Sequence, residues 1–480
     1  HSMNPCERCA LSRRQFLRAA GGAIGAWMLL PLAETAFAAP RGSRTPIFPK
    51  GKARVVVVFS HVPPEYPTWP SVGYDYEGRK RELTSKLREA CPNIRFTFHT
   101  ASNAPQAEAI VKEAGENIDG FVCYNIGIWT GAPNVLARSG KPVVMVDDLF
   151  AGSGETLIMG GVANREKLPV VTVSSSRFED VADAVRLFEV IRAMKESTIL
   201  DVADYDISGW AGSVKALFGT DVVKMGSEEL ASYYAKADET EAAQWADLWI
   251  KQAKKVVEPS REEIIKSGKM YLALTQAAAD KRADAVTMDC LGMFYSGRVT
   301  AYPCLSFFQM NNDGGTGVCE GDLNSTCTQL MMRYLTGRPG YVSDPVIDTA
   351  RGWIIYAHCV ATNRVFGPQG KANPYIIRSH AEDQKGASVQ SLMPLGETVT
   401  TLEIDVGGKR MVIHTGRTVA NVDDPKACRT KLAAKTDAEN ILNEWDMGWH
   451  RVTVYGDWRK QALQLARLYG LTVNEEDRPG

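Results

Sequence analysis

In Arg54-Val55-Val56-Val57-Val58-Phe59, the five residues after Arg54 form a continuous apolar run, mostly β-branched, with no polar alternation. A strand with one wet face alternates; a strand buried on both faces does not, and such strands belong to parallel sheets covered by helices. The elements that follow carry the same signature. They read as a helix at about 75–90, a strand near Ile94–His99, a helix near 105–115, and strands at Gly120–Tyr124 and Pro142–Val146. This alternation predicts a parallel α/β domain over 53–165.

A second α/β domain, over 166–337, is expected to open with Leu168-Pro169-Val170-Val171-Thr172-Val173. It continues with a helix near 178–195, strands near Thr198–Val202 and Asp221–Met225, and a helix near 209–218 between them. Long helical patterns lie at about 238–256 and 260–281, the latter opened by a Ser260…Glu263 capping box, before a strand at Ala285–Asp289. From 338 to 480 the pattern changes: Thr398–Ile404, Arg410–His414 and Arg451–Tyr455 alternate apolar and polar residues, with Gly407-Gly408 as a hairpin turn. The expected fold class is therefore α/β, two Rossmann-like domains followed by a β-rich C-terminal domain closed by a helix at Trp458–Leu468.

The N-terminal 39 residues read as a targeting segment behind a tag scar, His1-Ser2-Met3. Ser12-Arg13-Arg14-Gln15-Phe16-Leu17-Arg18 precedes a Gly/Ala/Leu-rich stretch ending at Ala36-Phe37-Ala38, the layout of a twin-arginine export signal. Gly21, Gly22, Gly25, Pro31 and Glu34 dilute the run below the roughly 20 unbroken apolar residues of a membrane span. The expected partner during export is the twin-arginine translocase, and the expected place of work is the periplasm or the exterior. A Pro/Gly/Arg-rich stretch over 40–52 reads as a linker.

The remaining composition is ordinary: 45% hydrophobic, 23% charged, net charge −1. That balance offers no basic surface for nucleic acid and no second apolar run long enough for a stable membrane span. Of ten cysteines, Cys6 and Cys9 fall in the targeting segment, and the other eight form no zinc-like pair. Several sit in apolar strand patterns such as Phe121-Val122-Cys123-Tyr124, and buried free thiols are expected.

The densest candidate for chemistry is the amide- and glycine-rich stretch from Asn311 to Asp322, which delivers Glu320 to the start of a helix predicted at 322–336. Asp344, in Ser343-Asp344-Pro345, lies beyond that helix, at a spacing that returns the chain to the same end of the sheet. His450, ahead of a strand, is the best third partner. Two carboxylates and an imidazole can share one divalent cation, and hard oxygen ligands suit Mn²⁺ or Mg²⁺ better than zinc. Val318-Cys319-Glu320-Gly321-Asp322, the Asp344 segment and Gly448-Trp449-His450…Tyr455-Gly456-Asp457 resemble the L-fucose isomerase family and its L-arabinose isomerase relatives. The resemblance implies an Mn²⁺ ligated by Glu320, Asp344 and His450, with the two carboxylates moving protons through an ene-diol. It also implies a carbohydrate substrate and a homo-oligomer.

Plainer roles stand beside these. Glu320 suits a helix N-terminal charge, Asp344 a turn, and His450 a satisfied half-buried histidine. His358, in an apolar run, is an alternative ligand or substrate contact. Asp289 at a strand end, Asn312 in the amide-rich loop, and Trp129 and Trp449 beside sugar-stacking positions are candidate substrate contacts. An exported protein meets glycans more readily than free pentoses. A glycoside hydrolase using Glu320 and Asp344 as a carboxylate pair, or a periplasmic sugar-binding protein, are therefore the competing expectations.

Overall fold

The computed structural model describes residues 42–479. The twin-arginine motif, the Ala-x-Ala site, Cys6 and Cys9 lie outside the described residues. Strands β1 (Ala53–Ser60), β2 (Ile94–Ala101), β3 (Gly120–Asn125), β4 (Val143–Asp147) and β5 (Val170–Ser174) form a parallel sheet in the order β2-β1-β3-β4-β5. Val55, Val57 and Phe59 pack with Leu83 and Leu87 of the helix Tyr76–Ala90 on one face. Val56 and Val58 pack with Ile110 of the helix Ala104–Ala114 on the other. Both faces of β1 are dry, which is the reason its sequence does not alternate.

Next come β6 (Thr198–Val202), β7 (Asp221–Met225), the short β8 (Lys255–Val256), β9 (Ala285–Met288) and β10 (Gly317–Cys319). All but β8 make a second parallel sheet, ordered β10-β9-β6-β7. The remainder supplies β11 (Tyr341–Asp348), β12 (Trp353–His358), β13 (Tyr375–Arg378), β14 (Ser388–Ser391) and β15 (Thr398–Asp405). It ends with β16 (Arg410–Asn421), β17 (Thr430–Lys435), β18 (Arg451–Tyr455) and β19 (Thr472–Glu475). The order β15-β18-β11-β12-β17-β16 is antiparallel throughout, and a further β15–β16 pairing closes it into a barrel, with β19 added in parallel to β16. β8, β13 and β14 form a small separate sheet.

The α/β class with a β-rich C-terminal part is thus the observed architecture, and helices Phe178–Lys195, Arg261–Asp280 and Arg459–Leu468 fall close to the sequence expectation. Ser260 caps its helix as expected, accepting from Glu263 N at 3.3 Å. Two details differ. The run at Val170–Ser174, read as the opening of the second set, pairs with β4 and is the edge strand of the first sheet. A buried strand carries no mark of which sheet it joins; the connection through the helix Ser153–Glu166 decides that. The stretch read as a linker is pinned down: Arg44 forks onto Glu241 at 2.7 and 2.6 Å, Ser43 Oγ donates to Asp313 Oδ2 at 2.7 Å, and Lys50 pairs with Asp284 at 2.7 Å.

One apolar cluster joins the pieces. It runs from β1 through Phe188 and Val185 of Phe178–Lys195 and Leu330 of the helix Leu323–Thr336 to Leu402, Ile413 and Val452 of the barrel. All eight described cysteines are free thiols, buried except for the half-buried Cys428. No helix among the described residues is long and apolar enough to cross a membrane.

Beside β18 lies a buried charge network that holds the strand's position. Arg451, fully buried, donates to Glu476 Oε1 at 2.5 Å, and His414 Nδ1 lies 2.9 Å from Glu476 Oε2. Burial opposes the charge on Glu476, yet His414 and Arg451 hold its carboxyl below the usual carboxylate range. Removing one partner strands a buried charge, so Glu476→Ala should destabilise the fold by about 3 to 5 kcal/mol in urea unfolding. Because the folded-state value is depressed, this stabilisation is present above the unfolded-state value of about 4.3 and is lost on acidification through the folded value.

Candidate metal centre

Glu320 follows β10 directly and adopts a left-handed φ of +70°, followed by Gly321 at +66°. A non-glycine residue in that conformation costs about 1 to 2 kcal/mol, and such strain gathers at functional sites. The pair turns the chain sharply from β10 into the helix Leu323–Thr336, whose N-cap is Asp322. The left-handed φ favours glycine at 321, and a Cβ there would also press on the Tyr205 hydroxyl, which would have to shift.

The barrel brings the other groups by register. Ser343 of β11 pairs with Arg451 of β18, so Asp344 and His450 are the next residues along. Asp344 pairs with Ala357 of β12, which places His358 one residue further on. Glu320, Asp344, His358 and His450 each present a ligand atom, and the four atoms lie within 4.8 Å of one another. His450 Nε2 is 3.2 Å from Glu320 Oε2 and 3.1 Å from Asp344 Oδ1. His358 Nε2 is 3.7 Å from Glu320 Oε1.

Asp322, which sequence reasoning passed over, sets the state of His450. Its Oδ2 accepts from His450 Nδ1 at 2.8 Å, the arrangement in which a carboxylate fixes a histidine for metal binding through the other nitrogen. The signal available in the sequence was an Asp at an N-cap two residues after Glu320. His358 differs: Cys359 N–H donates to its Nδ1 at 2.9 Å, and its buried Nε2 has no hydrogen-bond partner among the described residues. In that tautomer Nε2 carries the proton and offers it inward to Glu320 or a substrate oxygen; ligation through Nε2 requires the other tautomer.

The electrostatics favour a cation. Burial opposes charge on His450, but hydrogen bonds to Asp322, Asp344 and Glu320 raise its imidazolium to about 12. Burial likewise works against the carboxylates, and the contact with His450 overcomes it, holding Glu320, Asp322 and Asp344 below the usual range. Two carboxylate oxygens facing one nitrogen need a positive charge between them, and a proton or a divalent ion fills that need. The donor set fits such an ion, with hard oxygens from Glu320 and Asp344 and nitrogen from His450.

Among the other sequence candidates, Trp449 is 60% exposed, anchored by its Nε1 donating to Pro345 O at 3.0 Å. It lines a cavity of about 540 Å³ together with His450, Asp322, Trp210 and Arg410. Asp289 caps the short helix Cys290–Tyr295, accepting from Gly292 N at 3.2 Å, and its backbone lies close to Gly321. Trp129 follows β3, the central strand of the first sheet, is 61% exposed, and is not among the side chains that converge on the centre. Asn312 is buried and accepts from Thr362 Oγ1, Asn363 N and Arg364 N. Its carbonyl oxygen holds that segment in place instead of facing the metal group.

A cation entering the centre displaces the His450 proton. One proton should therefore be released per ion, and the apparent affinity for Mn²⁺ should rise about tenfold per pH unit through neutrality. Calorimetric titration in buffers of different ionisation enthalpy measures both.

No family model matches the chain. The chain is similar to the sulfoquinovose isomerases of Priestia aryabhattai and Priestia megaterium, each 24% identical over 304 residues that cover 60% of this chain. The matched part spans 66% of the relatives' length. The similarity is distant, and it is to a sugar isomerase.

Proposed function

We propose that this chain is a divalent-cation-dependent sugar isomerase that interconverts an aldose and its ketose through an ene-diol. The convergence of Glu320, Asp344, His358 and His450 carries this reading, and the distant similarity to a sugar isomerase supports it. Glu320, Asp344 and His450 would hold the ion, with Mn²⁺ or Mg²⁺ the expected identity. A bound divalent ion would supply Lewis-acid stabilisation of the charge developing on the two sugar oxygens. Glu320 takes the proton from the carbon beside the carbonyl and returns it to the neighbouring carbon. Asp344 moves the hydroxyl proton between the two oxygens. Both roles need ionised carboxylates; without the ion the contacts with His450 keep them so, and a bound cation would favour the same charge state. His358, with its inward Nε2, binds a substrate oxygen, and Trp449 offers a stacking surface at the mouth.

Glycan cleavage by the same pair would require one carboxyl to be held neutral as an acid. The geometry at His450 pushes both the other way, which favours the isomerase. The twin-arginine motif at Ser12–Arg18 adds export to this proposal and places the sugar in the periplasm or outside the cell.

The test is proton NMR in D₂O of aldoses, sulfoquinovose included, incubated with Mn²⁺-loaded protein. Deuterium should enter next to the carbonyl as ketose accumulates. Glu320→Gln and Asp344→Asn should each lower the rate by about 10² to 10⁴-fold. About one equivalent of metal should be present in the wild type and missing from His450→Ala. Sugar binding without exchange, or sugar release from glycans by metal-free protein, would overturn the isomerase reading. Changing Arg13 and Arg14 to Lys should leave the protein in the cytoplasm, as fractionation would show; unchanged export would remove that part of the proposal.

A further inference from the structure

Behind His450 the hydrogen bonds continue inward, away from the candidate metal centre. Asp322 Oδ2 accepts from His450 Nδ1 at 2.8 Å and from Ser325 Oγ at 2.6 Å, while Oδ1 accepts from Asn324 N at 2.9 Å. Ser325 Oγ also lies 3.2 Å from Oε1 of Glu403 on β15, and both residues are buried.

A serine hydroxyl has one proton to donate. The shorter contact, to Asp322, takes it. The contact with Glu403 is then a hydrogen bond only if Glu403 carries a proton and donates to Ser325 Oγ. An ionised Glu403 would instead set a second buried negative charge against Asp322 with one hydroxyl proton between them. The surroundings point the same way: burial first, then the charge of Asp322, push Glu403 well above the usual carboxylate range, against weaker pulls from Arg451, from His450 and from the contact with Ser325.

We propose that Glu403 is a neutral carboxylic acid at pH 7 that, through Ser325, fixes Asp322 as an acceptor and so holds His450 with a proton on Nδ1 and Nε2 turned to the cation. Ser325 and Glu403 are positioning residues. Neither is among the four groups that converge on the centre, and Glu403, only 4% exposed at the wall of the cavity beside His450, acts through Asp322 on the geometry of His450. The purpose of the chain of contacts rests on the metal-dependent reading; the protonation of Glu403 does not.

Carbon-13 NMR of the glutamate side-chain carboxyls in the full-length protein tests the protonation directly. A neutral-acid resonance unchanged from pH 6 to pH 8 and missing from Glu403→Gln is expected; an ionised Glu403 at pH 7 overturns the proposal. The positioning role is read from Mn²⁺ affinity by competition with a fluorescent chelator. Glu403→Gln, whose amide donates from the same place, should stay within about threefold of wild type, whereas Ser325→Ala and Glu403→Ala should each weaken binding about tenfold. The double variant should be no weaker than either single one, because both cut the same chain. Equal losses in Glu403→Gln and Glu403→Ala, or none in Ser325→Ala, would overturn it. Thermal unfolding of the metal-free variants identifies any that fail to fold. A wild type that shows the neutral acid yet takes up no Mn²⁺ would sink the proposed function and leave the assignment of Glu403 standing.

Discussion

His450 is an imidazole enclosed by three carboxylates, with Asp322 on one nitrogen and Glu320 and Asp344 on the other. Three buried or half-buried negative charges around one side chain are unfavourable unless positive charge is supplied among them. The ring can supply it only by holding two protons, or one proton on Nδ1 and a metal ion at Nε2. Around it stand the left-handed backbone at Glu320, the N-cap Asp322 that accepts from Nδ1, and the buried Ser325 and Glu403 behind it.

The fold meets the requirement by joining two kinds of sheet edge. A parallel sheet ends its strands on one side, and the turn after β10 delivers Glu320 and Asp322 there within three residues of sequence. The barrel contributes the remainder through antiparallel register, which sets Asp344 beside His450 and His358 one step away. A shared apolar cluster keeps the two edges in contact, and the buried Arg451–Glu476–His414 network anchors the strand that begins just after His450. Displacing β18 by one residue would put a side chain of the opposite face where His450 stands. The cost of burying Arg451 is therefore tied to the accuracy of the centre.

A fold of this kind hosts many chemistries, so the functional reading depends on the site. Two ionised carboxylates sharing one imidazole nitrogen suit a cation and proton transfer beside a carbonyl. They suit less well a hydrolase, which needs a neutral acid. The exposed Trp449 lines a cavity of about 540 Å³ that opens beside Asp322 and Arg410, and on the proposed reading a sugar would approach from that side.

Local periodicity was enough to find the α/β class, the doubly buried β1, the helices Phe178–Lys195 and Arg261–Asp280, and the change to an alternating pattern in the last third. Residue chemistry, together with the isomerase resemblance, was enough to single out Glu320, Asp344 and His450, although Asp344, read also as a turn residue, lies within β11. The sheet that takes Val170–Ser174, the closing of the barrel by β15 and β16, the docking of the 42–52 segment, and the separate duties of Asn312, His358 and Asp322 were decided only in three dimensions. The physical reason is range. Hydrophobic periodicity and caps act over a few residues and are written in the chain. The Asp322–His450 bond joins side chains 128 residues apart, and that proximity exists only once strand register and core packing have brought the two edges together.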